Sequence, residues 1–309
     1  MWLLALMGCG GGFESGNDVC GTIVREDGAP AADAVSVMTI AAGRSACEGQ
    51  DSGIDTDGPW WDEIVAEPVP DGNTFEATVD PGDYAVEVTA GGGSYGGCVG
   101  FNVPDTTDCA AEPVVTLREI VMVDKPNLYL YPRTRARVEV RLPGWRRITE
   151  AAPAYPVDGW RVVADPQGWL QTTAGRRGYL FYEMAWEAER FQTDAGWCVG
   201  GDVAQASIED AMADLGFRPR EIADFAEAWD ADFPQATELT VFPQFDGLAE
   251  LRIDPPPESL LRAWFYVVDG CSATEAPDLW AAPRTGFHAA EWGVAFAPGL
   301  EVGDVMVER

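Results

Sequence analysis

Histidine and lysine are almost absent from this chain of 309 residues. Its only histidine is His288, and its only lysine is Lys125. A zinc site with two or three imidazole ligands cannot be built from one histidine, and a Ser-His-Asp triad would need His288 itself. Because residues 286–292 have the pattern of a strand, we interpret His288 as a structural residue. The sequence therefore excludes histidine-rich zinc sites and disfavours a serine hydrolase.

Positive charge is also scarce, with 20 Lys and Arg residues against 51 Asp and Glu residues. The formal net charge of -31 repels polyanions, so we expect no nucleic-acid partner. The acidic residues are spread along the chain, a pattern typical of a solvated surface. Apolar residues make up 47% of the chain, which is enough for the packed cores of two domains.

Long apolar segments are missing, because no stretch approaches the ~20 residues of a membrane-spanning helix.

The amino terminus has a short apolar run that ends at Gly8 and Cys9, with Leu6 three positions before the cysteine. This segment resembles a bacterial lipobox. The resemblance implies that residues 1–8 are a signal peptide, whose short core points to a start codon further upstream. It also implies that Cys9 carries a lipid and that residues 9–18 form a flexible tether. We expect an exported protein, anchored by its lipid to a membrane of the cell envelope and facing the periplasm or the cell surface.

Closely spaced cysteines such as Cys-x-x-Cys are absent, which argues against zinc binding and for structural disulfides in an exported protein. Beyond Cys9, six cysteines remain: Cys20, Cys47, Cys98, Cys109, Cys198 and Cys271. The four in the first half allow three pairings, which the sequence leaves open. In the second half we predict a disulfide between Cys198 and Cys271.

Residues 19–118 alternate apolar and polar side chains in short runs separated by turn residues, the pattern of a small β-sandwich. Gly21, Phe75 and the segment Pro81-Gly82-Asp83-Tyr84, in this order, resemble the carboxypeptidase regulatory-like (transthyretin-like) domain. The resemblance implies a β-sandwich in which the Pro-Gly-x-Tyr element closes a hairpin. It also implies a non-catalytic spacer or binding module.

Acidic and hydroxyl side chains alternate before a glycine in residues 51–58, as they do in calcium-binding loops. The EF-hand pattern fails because Gly53 takes the first ligand position and Ile64 the twelfth. An irregular calcium loop and a solvated loop tip held by Trp60 and Trp61 remain alternatives. We predict neither a metal nor a cofactor.

Residues 119–309 contain the most specific motifs. Residues 125–132 read Lys-Pro-Asn-Leu-Tyr-Leu-Tyr-Pro, residues 179–183 read Tyr-Leu-Phe-Tyr-Glu, and residues 286–293 end in Glu-Trp-Gly. In this order they resemble a widespread, functionally uncharacterised bacterial family that opens on Lys-Pro-x-Ile-Tyr-Leu-Tyr-Pro. The resemblance implies a common domain and no particular activity.

The same region changes its periodicity along the chain. Alternation predicts strands at 128–131 and 137–142, whereas the segment between Ala204 and Phe233 has the period of two helices, separated by Gly216. We predict an α+β domain with a mainly antiparallel sheet and a helical hairpin, so that the whole chain is mostly β.

Seven residues of this region are candidate binding residues: Lys125, Tyr129, Tyr131, Glu183, Arg262, Glu291 and Trp292. We expect Lys125 to pair with Glu183 or Glu291, because a compact ammonium can satisfy a half-buried carboxylate. Since common catalytic motifs are missing, we predict a non-catalytic envelope module that binds a polymer or a protein partner. The alternative is an envelope glycoside hydrolase, or another hydrolase, in which Glu183 and Glu291 form the acid-base pair.

Overall fold

The computed structural model describes residues 17–25, 35–42, 64–90, 95–104, 111–143, 148–230, 233–234, 236–246, 248–281 and 283–300. The chain divides into two compact units, residues 1–120 and 121–309. The predicted boundary after residue 118 lies two residues before this division. Strands predominate in the described part, and two α-helices accompany them, which confirms the mostly-β prediction.

The first unit is built from two groups of paired strands. Its strands are β1 (Asn17–Arg25), β2 (Val35–Ala42), β3 (Ile64–Ala66), β4 (Thr74–Val79), β5 (Gly82–Ala90), β6 (Tyr95–Val103) and the beginning of β7 (Val114–Tyr131). Strand β1 pairs antiparallel with β4 and parallel with β7. Strand β2 pairs antiparallel with β3 and β5, and β5 pairs antiparallel with β6. One apolar cluster includes Val19 and Phe75 from the first group and Val86 and Phe101 from the second, so both groups cover one core.

The Pro-Gly-x-Tyr element was expected to close a hairpin, and the structure differs from this expectation. It joins β4, which pairs with β1, to β5, which pairs with β2 and β6. The Tyr84 hydroxyl donates a hydrogen bond to the carbonyl of Asp80 at 2.7 Å and holds this turn. The element therefore carries the chain from one group of strands to the other and does not close a hairpin.

The second unit contains two sheets. Its further strands are β8 (Ala136–Arg141), β9 (Ile148–Ala152), β10 (Trp160–Ala164), β11 (Leu170–Thr172), β12 (Gly175–Arg177), β13 (Leu180–Glu187), β14 (Trp197–Gly200), β15 (Glu238–Gln244), β16 (Arg252–Asp254), β17 (Ser259–Asp269) and β18 (His288–Phe296). The main sheet has the order β14-β15-β17-β18-β7-β13-β9, and the second sheet has the order β12-β11-β10-β8-β16. Antiparallel pairing dominates as predicted, but β17 and β18 run parallel.

The main sheet is covered on both faces, and alternate residues of β7 show this directly. Leu128 and Leu130 belong to the apolar cluster shared with the second sheet. Tyr129 and Tyr131 belong to the cluster shared with the helices. Because successive side chains of a strand point to opposite faces, the position of a residue along its strand decides which core it enters.

The helical hairpin consists of α1 (Ala204–Leu215) and α2 (Pro219–Trp229), as the periodicity predicts. Gly216 ends α1 in the left-handed conformation, with φ of 91°, which is favourable for glycine. Pro219 opens α2, and the Glu221 carboxylate accepts a hydrogen bond from the backbone N–H of Arg218 at 2.6 Å. No described helix is both long and apolar enough to cross a membrane.

The predicted disulfide between Cys198 and Cys271 is confirmed, with a Cα–Cα distance of 5.2 Å. Cys98 is also disulfide-bonded. The pairing of Cys20 and of the remaining cysteines stays a prediction. Several predicted features lie outside the described residues: Cys9, Cys47, Cys109, the signal peptide at 1–8, most of the tether at 9–18 and the loop at 51–63.

Candidate functional site

Most of the predicted binding residues lie in the interior of the second unit. Tyr129, Glu291 and Trp292 have no exposed surface, and Tyr131 is 4% exposed. The Trp292 ring packs edge-on against Phe225 of helix α2. Side chains buried in this way cannot contact a ligand on the surface of the domain. The structure therefore corrects the surface-binding interpretation of these four residues and gives them packing roles.

Glu291 is the acceptor at the centre of a buried polar network. Its carboxylate accepts hydrogen bonds from the Tyr182 hydroxyl at 2.7 Å and from Arg262 Nε at 2.7 Å. The Trp264 indole N–H donates to it at 3.3 Å. Arg262 also donates to the carbonyl of Ala249 at 2.7 Å, which ties the network to the chain preceding β16. Arg262 and Glu291 are direct neighbours on the parallel strands β17 and β18, so the backbone register brings the pair together.

Glu183 lies on the other face of the main sheet. Its neighbours Tyr182 and Met184 both point into the cluster that surrounds the Glu291 network, so Glu183 must point away from it. A general acid and a general base must approach the same glycosidic bond. The structure does not bring Glu183 and Glu291 together, and this corrects the paired-carboxylate expectation.

A small cleft of about 230 Å³ is found elsewhere in this unit. Its lining residues are Pro153, Ala154, Pro156, Gly159, Trp160, Arg161, Val162, Thr172 and Thr173. Neither Glu183 nor Glu291 lines it, so it offers no alternative site for carboxylate chemistry.

Lys125 occupies a β-bulge in β7. Lys125 and Pro126 together face the single residue Gly293 on β18, and Lys125 has a positive φ of 53°. Its ammonium group donates to the carbonyl of Ala228 at 2.7 Å, in the last turn of α2, and lies 4.3 Å from the ring centre of Trp229. A cation is favourable at this position because helix carbonyls carry partial negative charge at the carboxyl end.

The expected pairing of Lys125 is therefore met only in part. Its charge acts on Glu183, whose pKa is raised by burial and by Glu150 and is lowered again by Lys125. Two contacts of the ammonium are with helix α2 on one face of the sheet, whereas Glu291 points to the other face. Lys125 thus anchors the helix to the bulge and does not neutralise Glu291.

Asp124, next to the bulge, has an unusual environment. Burial and the neighbouring Glu183 raise its pKa from 3.8 to about 7, although Lys125 lowers it. A carboxyl with a raised pKa in the folded state binds a proton more tightly there than in the unfolded chain. Its ionisation therefore disfavours folding progressively as the pH rises from about 4 to about 7.

We expect Asp124→Asn to change the pH dependence of stability. The unmodified chain loses stability as Asp124 ionises, and the variant does not. The free energy of unfolding of the variant minus that of the unmodified chain should therefore be larger at pH 8 than at pH 5. Urea unfolding at a series of pH values measures this difference. A difference that is constant between pH 5 and pH 8 would show that Asp124 titrates normally.

A surface with several arginines forms beside helix α2, and no motif of the sequence predicts it. Trp169 is 37% exposed, and the guanidinium carbons of Arg176 and Arg220 lie 4.2 and 4.4 Å from its ring centre. The guanidinium carbon of Arg218 lies 4.0 Å from the ring centre of Tyr131. We call Trp169, Arg176, Arg218 and Arg220 the arginine–tryptophan surface.

The turn at residues 165–169 places Trp169 in this surface. The Asp165 carboxylate accepts hydrogen bonds from the backbone N–H groups of Gln167 and Trp169, both at 3.0 Å. Gly168 has φ of 83°, and a Cβ at this position would lie 2.4 Å from the Tyr131 ring. Only glycine allows the turn to approach Tyr131 so closely.

A buried ion pair lies beneath the surface. Glu221 has no exposed area, and its two carboxylate oxygens accept hydrogen bonds from the two terminal nitrogens of Arg284, each at 2.7 Å. Arg284 also donates to the carbonyl of Gly216 at 3.0 Å. This bidentate pair fixes the start of α2, from which Arg218 and Arg220 extend.

The arginines of the surface itself are less engaged. Among the residues that the structure describes, Arg176 and Arg218 form no ion pair, and the Arg220 Nε atom lies 3.9 Å from the Asp224 carboxylate. That carboxylate also accepts a hydrogen bond from Tyr129 at 2.9 Å. The guanidinium groups of Arg176 and Arg218 are thus held by aromatic rings and keep their N–H groups available.

His288 is 2% exposed and has a structural position, as predicted from the sequence. Its Nδ1 atom lies 2.7 Å from the Ser259 hydroxyl, which also exchanges hydrogen bonds with the backbone of Thr285. Burial, and then the charges of Arg284 and Arg218, lower its pKa to about 4, so the ring is neutral at physiological pH. In the described part of the chain the Nε2 atom has no hydrogen-bond partner, so no carboxylate completes a catalytic triad there.

Metal-ligating side chains do not cluster in the described segments, where no three of His, Cys, Asp or Glu are placed to hold an ion.

Comparison of the chain with protein-family models, with curated proteins and with solved structures gives no match.

Proposed function

We propose that this protein is a non-catalytic lipoprotein of the cell envelope whose second unit binds an envelope polymer or a protein partner. The lipobox-like segment ending at Cys9 supports the location outside the cytoplasm. The two family resemblances of the sequence support a modular, non-enzymatic chain, because neither implies an activity.

The observation that carries the binding role is the arginine–tryptophan surface. Exposed aromatic and arginine side chains are enriched where proteins bind partners, whereas most acidic side chains of this chain serve solubility. Trp169 is 37% exposed although it is a large apolar residue, and Arg176 and Arg220 both contact its ring. Such a surface costs solvation and ordering without adding to the core, which favours a role in recognition.

The hydrolase alternative receives less support. Its two carboxylates point to opposite faces of the main sheet, and Glu291 is fully engaged by Arg262 and Tyr182. A general acid or base must exchange a proton with the substrate, and the Glu291 side chain, which has no exposed surface, cannot reach one.

The lipid anchor makes a separate prediction. Expressed with a functional signal sequence in a bacterium that processes lipoproteins, the protein should incorporate labelled fatty acid and partition into detergent. Cys9→Ala should abolish the label, because the thiol is the acceptor of the lipid. Cys20→Ala serves as the matched control and should keep the label; a label that persists in Cys9→Ala would remove the lipobox interpretation.

Binding is tested by incubating the purified protein with fractionated envelope polymers and with a glycan array. The proposal expects at least one retained polymer or protein and no turnover of it. Release of soluble products from any fraction would instead establish an enzyme.

A further inference from the structure

We propose that the arginine–tryptophan surface binds the carboxylate group of an acidic saccharide, that is, a uronate unit of an envelope polymer. This inference rests on the proposed function and names the class of ligand. Its elements are the exposed indole of Trp169 and the arginines at positions 176, 218 and 220.

The aromatic contacts prepare the arginines for this ligand. A guanidinium group at about 4 Å from a ring centre is restrained by the ring, while the N–H groups at its edge can still donate. A carboxylate accepts two parallel hydrogen bonds from such an edge. Because the side chains are ordered before binding, less conformational entropy is lost when the ligand arrives.

Local charge also favours an anion at this place. Arg176, Arg218 and Arg220 gather on one surface of a chain that has only 20 cationic residues and a net charge of -31. Part of this charge is offset, because Arg220 lies 3.9 Å from the Asp224 carboxylate and Arg284 pairs with Glu221. Among the described residues, the positive charge that no ion pair offsets belongs to Arg176 and Arg218, so the excess is local while the protein as a whole is strongly negative.

This contrast selects a sparsely charged ligand. Duplex DNA carries one charge per about 1.7 Å and would be repelled by the rest of the chain. A uronate has one negative charge per sugar ring, so the arginines can bind one carboxylate while the neighbouring hydroxyl groups stay neutral. The net charge of -31 is thus compatible with a uronate at this surface.

The exposed indole distinguishes a saccharide from an acidic peptide. Both ligands offer carboxylates to arginine, but a sugar ring also offers a flat apolar face. Arg176 and Arg220 already lie against the indole, and the 37% of Trp169 that stays exposed is the part that such a face can contact next to the bound carboxylate. A glutamate side chain has no equivalent rigid surface.

The test is titration calorimetry of the purified full chain with a short oligogalacturonate, the dimer, at about 0.15 M salt, where the long-range repulsion from the net charge of -31 is screened. Methyl-esterified oligogalacturonate is the matched neutral probe, and oligoglutamate is the peptide probe. We expect binding of the free acid, and binding at least about tenfold weaker for the ester and for oligoglutamate.

Variants locate the site. Arg176→Gln and Trp169→Leu should each weaken oligogalacturonate binding by about tenfold while the melting temperature changes little. Arg252→Gln is the matched control, because Arg252 pairs with Glu250 on β16, the edge of the second sheet opposite to β12, which carries Arg176. It should bind as the unmodified chain does.

Three results would overturn the inference: no binding of oligogalacturonate, equal binding of the ester or oligoglutamate, or equal loss of affinity in Arg252→Gln. If oligogalacturonate does not bind while another envelope fraction is retained, the ligand class is wrong and the proposed function stands. If no envelope fraction or protein is retained either, the proposed function fails as well.

Discussion

Glu291→Leu is expected to lower the free energy of unfolding by about 3–5 kcal/mol, the usual cost of removing one member of a buried ion pair. The substitution keeps a side chain of similar size, so the main change is electrostatic. It leaves the Arg262 guanidinium buried without its carboxylate, and it removes the acceptor of the Tyr182 hydroxyl and of the Trp264 indole. Urea unfolding followed by tryptophan fluorescence measures the loss.

Two further variants separate the loss of the ion pair from general damage to the core. The double variant Arg262→Met with Glu291→Leu should recover much of the stability, because an apolar pair of similar volume carries no buried charge. Glu291→Gln should fall between the single variant and the unmodified chain, since it keeps an acceptor for Tyr182. It also serves as the readout if Glu291→Leu does not fold.

A surface carboxylate provides the control. Glu250 pairs with Arg252 at 2.7 Å, but both side chains are about half exposed. Glu250→Leu should change the free energy of unfolding by less than about 0.5 kcal/mol. If Glu291→Leu were equally mild, the buried network would not be a main contributor to the stability of this unit.

Replacing Cys198 and Cys271 together by serine is expected to lower the free energy of unfolding by about 4 kcal/mol. The disulfide spans 73 residues of the chain, and closing a loop of this length restricts the unfolded state strongly. It joins strand β14 to the segment that follows β17, on either side of β15. The measurement is urea unfolding of the oxidised protein and of the double variant under identical conditions.

Peptide mapping without reducing agent gives the direct check, and should find Cys198 linked to Cys271. A single variant, Cys198→Ser, should lose about the same stability as the double variant, because either change removes the cross-link. Free thiols at both positions in exported protein, or equal stability of the double variant, would contradict the prediction.

Local patterns of the sequence were sufficient for several features of the fold. Alternation and turn residues predict the strands, and the change of period between Ala204 and Phe233 predicts the helical hairpin. Gly216 and Pro219 mark its turn, because glycine accepts the left-handed conformation and proline lacks the backbone donor that a first helical turn leaves unused. These patterns depend only on residues close together in the sequence, so they can be recognised without knowledge of the tertiary structure.

The positive φ of Lys125 illustrates the limit of such patterns. The motif around it predicts a strand, and strand β7 does pass through it. The bulge arises because two residues of β7 face one residue of β18, which lies more than 160 residues later in the chain. Alternation within one strand carries no information on that register.

The sequence by itself determined the mostly-β class, the two helices and the Cys198–Cys271 disulfide. Only the tertiary structure decided where the ionisable side chains point: Glu291 lies inside one core, and Glu183 lies on the opposite face of the same sheet. It also brought Trp169 and Arg176 next to Arg218 and Arg220, although more than 40 residues of the chain separate the first two residues from the last two. The reason is physical: strand pairing and the packing of α2 bring together residues that no local periodicity relates.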